Sequence, residues 1–146
     1  MPVGFVGEYV YNIDEKGRII IPARLRHAFG SGIVLTVGLD RCLWGFTRDG
    51  WERFSAKLDE LPQGLADART LKRFLFSQAA EGSLDRQGRV LIPENLRRFA
   101  RLDGEAVIVG VGDRIEIWSP EAWQAFKDEQ VANLAAIAEQ LSDFGI

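Results

Sequence analysis

Apolar residues along this chain fall into short runs separated by breaks rich in Gly, Pro and Asp, and the same order of runs occurs twice. IDEKGRIIIPARLR at 13–26 aligns without a gap to LDRQGRVLIPENLR at 84–97, pairing Asp14 with Asp85, Gly17 with Gly88, Arg18 with Arg89, Pro22 with Pro93 and Arg26 with Arg97 at an offset of 71 residues. One inserted residue later the offset becomes 72, and Gly38/Gly110, Phe46/Trp118, Thr47/Ser119, Trp51/Trp123 and Phe54/Phe126 extend the match. A duplication governs architecture ahead of any local pattern, because repeated units bury against each other what neither buries alone.

Each copy reads as a hairpin, a short helix, a second hairpin and a closing helix. In the shared D-x-x-G-R string the glycine supplies the positive φ of a tight turn, and the aspartate can bond its own turn backbone. Asp14, Gly17, Asp85 and Gly88 are therefore turn-forming residues. The continuous apolar runs Ile19-Ile20-Ile21 and Val90-Leu91-Ile92 predict strands covered on both faces. Pro22 and Pro93 fit the first position of the helix that follows, where no N–H is needed. Leu25, Phe29, Leu96 and Phe99 then face inward and leave Arg24, Arg26, His27, Arg97 and Arg98 on the rim. Further strands are predicted at 33–37 and 43–46 and again at 106–111 and 115–118, with Thr47 and Ser119 as N-caps of the closing helices. Leu71, Phe74 and Leu75 predict a connector helix over 65–78, and 120–141 is helical in pattern with an acidic exposed side.

This organisation divides the chain into a first repeat at 8–54, a helical connector at 55–79, a second repeat at 80–123 and an acidic helical tail at 124–146. A unit of roughly 45 residues buries too little surface to fold alone. The expected fold class is thus α+β and β-rich: two tandem modules sharing one core as an intramolecular pseudo-dimeric barrel with peripheral helices, both D-x-x-G-R turns on one side. The four tryptophans, Trp44, Trp51, Trp118 and Trp123, are assigned to that core.

Composition narrows the function. The 146 residues are 47% apolar and 27% charged, as in soluble globular proteins. The first ten residues lack a basic n-region, and no run approaches the ~18 apolar residues of a membrane span, so a cytoplasmic protein without a membrane partner is expected. With one cysteine, Cys42, and one histidine, His27, neither an intrachain disulfide nor a common zinc set can form, and no metal or cofactor is expected. No nucleophile with a base and no paired carboxylates stand out, which argues against an enzyme and against a small-molecule ligand.

The net charge of −3 argues at first against nucleic acid. From residue 115 onward, however, six acids face Lys127 alone. The remainder is basic, and its charge is focused: Lys16, Arg18, Arg24 and Arg26 gather in the first motif, and Arg86, Arg89, Arg97, Arg98 and Arg101 in the second. An arginine on a turn can lay its fork on guanine O6/N7 in the major groove, while neighbouring Lys16, Arg24, Arg86 and Arg101 hold phosphates.

Tandem D-x-x-x-R motifs, each leading into an apolar strand and a P-x-x-L-R helix, resemble the MraZ transcriptional regulators over about residues 5–126. The resemblance implies swapped-hairpin modules of the AbrB/SpoVT type. It also implies a nucleoid-associated bacterial repressor that assembles into closed homo-oligomeric rings and binds repeated short boxes of double-stranded DNA before the division and cell-wall gene cluster. Carried over by position, it puts Arg18 and Arg89 at the DNA surface, with Arg26, Arg97 and Arg98 nearby. AbrB-like modules also serve as antitoxins or protein-interaction modules, and the acidic tail would then be the partner surface.

Overall fold

A computed structural model describes residues 4–30 and 32–146; the first three residues of the segment read for a leader lie outside it. In chain order the first half of the chain forms β1 (Glu8–Asn12), β2 (Arg18–Ile20), α1 (Ala23–Phe29), β3 (Gly32–Val37), β4 (Leu43–Phe46), α2 (Arg48–Asp59) and α3 (Ala66–Ser77). The second forms β5 (Ala80–Ser83), β6 (Arg89–Leu91), α4 (Glu94–Phe99), β7 (Glu105–Gly110), β8 (Ile115–Trp118), α5 (Pro120–Gln130) and α6 (Leu134–Gln140), with a 3-10 turn at Val131–Asn133 between the last two.

An antiparallel sheet carries the fold, in the order β1-β7-β8-β4-β3-β5, beside a separate two-stranded ribbon of β2 and β6. The order is symmetric about the β4–β8 seam, where Leu43 pairs with Ile117 and Gly45 with Ile115. Each copy gives up its first strand to the other: β1 pairs β7 from Glu8↔Val109 to Asn12↔Glu105, and β5 pairs β3 from Gly32↔Ser83 to Leu35↔Ala80. One core serves both copies, with Ile19, Ile21, Ile33, Phe46 and Leu43 meeting Val90, Ile92, Leu96, Ile108 and Ile117. Glu116 ties the seam together, accepting from the indole N–H of Trp44 at 3.1 Å and of Trp118 at 3.0 Å.

Several expectations change. Among the described residues no ladder closes the sheet into a barrel; β1 and β5 are its open edges. The first hairpins shrink to their turns, since past the single bridge Ile13↔Ile19 the strand β1 leaves for the other copy. β2 and β6 are covered on one face only. Ile19, Ile21, Val90 and Ile92 are buried, whereas Leu91 is 52% exposed, because the two strands pair with each other and nothing packs outside them. Continuous burial belongs instead to β3, all six residues of which are enclosed. Pro22 and Pro93 stand at the N-cap, one residue ahead of the first helical position, with ψ of 137° and 149° in the extended range. Thr47 and Ser119 do cap their helices, accepting from Gly50 N–H at 2.9 Å and Ala122 N–H at 3.1 Å.

Candidate nucleic-acid interface

The two motif turns are built alike, bond for bond. Asp14 Oδ1 accepts from the backbone N–H of Lys16 at 3.0 Å and of Arg18 at 2.9 Å, and Arg18 Nε donates to Oδ2 at 2.8 Å. Asp85 repeats this with Gln87 at 2.9 Å, Arg89 at 2.8 Å and Arg89 Nε at 2.7 Å. Each aspartate thus spends its oxygens on the turn backbone and on one guanidinium edge. The Arg18 backbone N–H, followed by its guanidinium and the Lys16 N–H, holds the Asp14 carboxyl below its usual value; Arg89 and Gln87 do the same for Asp85. The arginines are left half-exposed, at 31% and 30% of the side chain, with their Nη groups free of the aspartates.

Register puts the two arginines on one surface. In the ribbon Arg18 pairs with Leu91, Ile19 with Val90 and Ile20 with Arg89. Directly paired residues of an antiparallel ladder share a face and alternate along the strand. Ile19 and Val90 point into the core, so Arg18, Ile20, Arg89 and Leu91 share the outer face. The two arginines are diagonal neighbours there, with Cα atoms roughly 7–8 Å apart.

Each turn is completed by the opposite copy. The Gly88 carbonyl accepts from Ile21 N–H at 2.8 Å, and the Gly17 carbonyl from Ile92 N–H at 2.9 Å. Gly17 and Gly88 adopt φ of 86° and 78°. A β-carbon built on Gly17 would overlap the Arg97 guanidinium, and one on Gly88 the Arg26 guanidinium. Arg26 also donates to the Ile21 carbonyl through Nε at 3.3 Å and Nη2 at 3.1 Å. The Arg97 and Arg26 guanidinium groups thus lie against the glycines of the opposite copy's turns.

The other predicted site residues scatter around this centre. Lys16 and Arg86 sit exposed at the turn tips, Arg24 is exposed on α1, and Arg98 is exposed on α4 with its charge met by Glu94 at 2.8 Å. Arg101 takes φ of 55° just past α4. Sequence reasoning missed Ile20 and Leu91, the apolar pair between the two arginines; the alternation buried–open–buried could have been read there, but an unbroken apolar run hides it. The tips also differ, Glu15-Lys16 in one copy and Arg86-Gln87 in the other. No helix is long and apolar enough to cross a membrane, and no cluster of three metal-ligating side chains occurs, among the described residues.

Fold and site together define a duplicated α+β protein that carries two arginine-bearing turns on a shared ribbon. The chain belongs to the MraZ family. The model for "MraZ protein", whose description also carries the words antitoxin-like, matches residues 5–74 and again 75–145. The chain is 50% identical over 139 residues to a protein of Roseiflexus castenholzii, covering 95% of this chain and 97% of that one. It is 51% identical over 142 residues to one of Moorella thermoacetica, covering 97% and 99%, and 48% identical over 140 residues to one of Lactiplantibacillus plantarum, covering 96% and 99%. All three relatives are named transcriptional regulator MraZ.

Proposed function

We propose that this protein is a non-enzymatic, sequence-specific DNA-binding transcriptional regulator, a repressor of the division and cell-wall gene cluster that works in the cytoplasm at the nucleoid. The observation that carries the reading is the pair of half-exposed arginines, Arg18 and Arg89, on one face of the β2–β6 ribbon. The relatives' name, transcriptional regulator, supports it. The exchange of β1 and β5 between copies supports reading the two repeats, 8–54 and 80–123, as swapped-hairpin halves of an intramolecular pseudo-dimer, with 55–79 as connector and 124–146 as tail.

In this reading Arg18 and Arg89 reach guanine edges in the major groove, and Ile20 and Leu91 between them meet thymine methyl groups. Lys16, Arg24, Arg86 and Arg101 hold flanking phosphates, which fix register without reading sequence. Asp14, Gly17, Asp85 and Gly88 shape the turns, and Arg26 and Arg97, packed against Gly88 and Gly17, lie near the DNA beside Arg98. One bidentate contact discriminates by only ~1–3 kcal/mol. A homo-oligomeric ring presenting several ribbons to repeated boxes multiplies such contacts into an avidity gain of about 10²–10⁴-fold.

A gel-shift series on the chain's own upstream region tests this. Tight binding to repeated boxes and poor binding to one box are expected, with Arg18→Ala or Arg89→Ala each costing about 10–100-fold while the circular dichroism stays that of the parent. Log affinity should fall against log salt by about 0.9 per phosphate neutralised. Equal affinity for one box and several would remove the avidity step, and unaltered binding by both variants would remove the DNA-reading role. The antitoxin-like wording of the family description favours one alternative, a protein-interaction module, in which neither arginine variant changes partner binding.

A further inference from the structure

A cleft of about 350 Å3 opens between α1, the start of α2 and the turn that joins β7 to β8. Its walls are fixed by bonds and packing. Phe5 exchanges two backbone hydrogen bonds with Gly112, each at 2.9 Å, and stacks on Phe29 with ring centroids 5.0 Å apart. Phe5 and Leu25 are buried members of the core, so the cleft has an apolar floor that belongs to the rigid part of the molecule. Sites for small molecules run from roughly 300 to 1,000 Å3 and combine such a floor with a few polar groups on the rim.

Here the rim is basic. Arg24 and His27 come from α1, and Arg53 comes from α2. Arg53 also walls an adjoining recess of about 180 Å3, to which Lys57 contributes from the next turn of the helix. Among the described residues, Arg24, Arg53 and Lys57 take part in no ion pair. The one acid on the rim, Asp113, is met by Arg114 at 3.0 Å. Unpaired charge of one sign around a concave, apolar-walled surface focuses the field and draws in ions of the opposite sign.

The second copy lacks this arrangement. Asn95, Arg98 and Ala125 stand where the first copy has Arg24, His27 and Arg53. Asn95 donates to Gln78 at 2.8 Å, and Arg98 is paired with Glu94 at 2.8 Å. The groove beside α4 has a single charged lining residue, Asp67. The two copies share a backbone plan, yet only the cleft beside α1 gathers unpaired cations over an apolar floor. Charges kept for solubility alone have no need to converge in this way.

Guanidinium forks match the oxygens of phosphate and of carboxylate. A phosphate ester carries about 1.5–2 negative charges near pH 7, so several unpaired cations around one cleft suit it better than the single charge of a carboxylate. The floor calls for an apolar body attached to that group. We propose that this cleft binds a small phosphorylated organic molecule, its phosphate held by Arg24, His27 and Arg53 and its apolar part resting on Phe5 and Leu25.

Phenyl phosphate carries both parts and serves as the probe, titrated calorimetrically into the full chain. Saturable binding is expected, and Arg53→Ala and His27→Ala should each weaken it about 10-fold. Both side chains are exposed, so circular dichroism should stay that of the parent. Arg98→Ala, at the position corresponding to His27, should bind the probe as the parent does. Inorganic phosphate should bind more weakly than phenyl phosphate, because it leaves the floor bare. No saturable binding, or parent-like binding by both Arg53→Ala and His27→Ala, overturns the site; equal affinity for the two probes marks an adventitious ion only and overturns the organic ligand.

The DNA backbone is a second source of phosphate, and Arg24 is assigned to it above. His27 and Arg53 are not, so Arg53→Ala separates the two. Gel shifts on repeated boxes should match the parent while phenyl phosphate binding is lost; a loss of DNA affinity in Arg53→Ala would give the cleft to the DNA backbone and overturn the small-molecule site. Unaltered DNA binding by Arg18→Ala and Arg89→Ala would end the DNA reading and leave the phenyl phosphate result standing, so the two fail separately.

Discussion

Asp14 and Asp85 accept from their turns at distances that agree within 0.1 Å, bond by bond, yet the helical ends of the same two copies have little in common. In the first copy α3 folds back on β3, buries Leu75 and Ala68, and lays Phe76 against Trp51 with ring centroids 5.4 Å apart. In the second, Trp118, Trp123 and Phe126 form the corresponding aromatic cluster, and α6 buries no residue. The turns are held in common because each is bonded and packed by the opposite copy, so distortion of either is felt by both. Helices α3 and α6 meet no such reciprocal constraint, and α3 has become a bracket while α6 buries no residue.

The largest expected difference between the copies lies in those helices. Leu75→Ala removes a side chain that is 2% exposed and should cost about 2–5 kcal/mol. Ile137→Ala, on the last helix of the second half, should stay within about 0.5 kcal/mol in denaturant titrations dilute enough to keep chains apart. Comparable losses at the two positions would mean that the tail is seated within its own chain.

Equivalence of the turns is tested next. Gly17→Ala and Gly88→Ala each place a β-carbon at positive φ against an arginine from the other copy, and each should cost about 1–3 kcal/mol. The two losses should agree; a marked inequality would show that one turn alone is braced. Arg26→Ala and Arg97→Ala sharpen the point. Both remove packing beneath a glycine, but Arg26 also bonds the Ile21 carbonyl, so its loss should exceed that of Arg97 by about 1 kcal/mol in thermal unfolding.

The smallest effect is a pH dependence. Asp14 and Asp85 have folded values lowered from 3.8, so their contribution is complete above that value and is lost as pH falls through the lower folded value. The advantage of the parent over Asp14→Asn or Asp85→Asn should hold steady from pH 7 to 5 and vanish in strong acid. A gap that persists below pH 2, or that differs between the two positions, would contradict the shared bonding scheme.

Much of this was legible before any coordinates. Turn residues, N-caps and helix stripes are local signals, which is why D-x-x-G-R, Thr47, Ser119 and the α3 stripe are where their sequence put them. Pairing partners are not local. Nothing in the period of EYVYN says that β1 joins β7 rather than its neighbour β2, and that exchange leaves an open sheet with a separate ribbon. Arg26 and Arg97 were read as rim charges from helical spacing, which reports the side of a helix a residue occupies but not that each guanidinium lies against a glycine of the opposite copy. The one-sided burial of β2 and β6 was concealed for a similar reason, since Ile20 and Leu91 are apolar yet face outward.

The exchanged strand also sets a timetable for synthesis. Glu8 pairs with Val109, so β1 leaves the ribosome long before its partner β7 and waits for it. At about 5–20 residues per second that interval is on the order of 5–20 s. Until β5 (Ala80–Ser83) follows, the nascent first half holds β3 with one flank unfilled, a polypeptide in need of shelter.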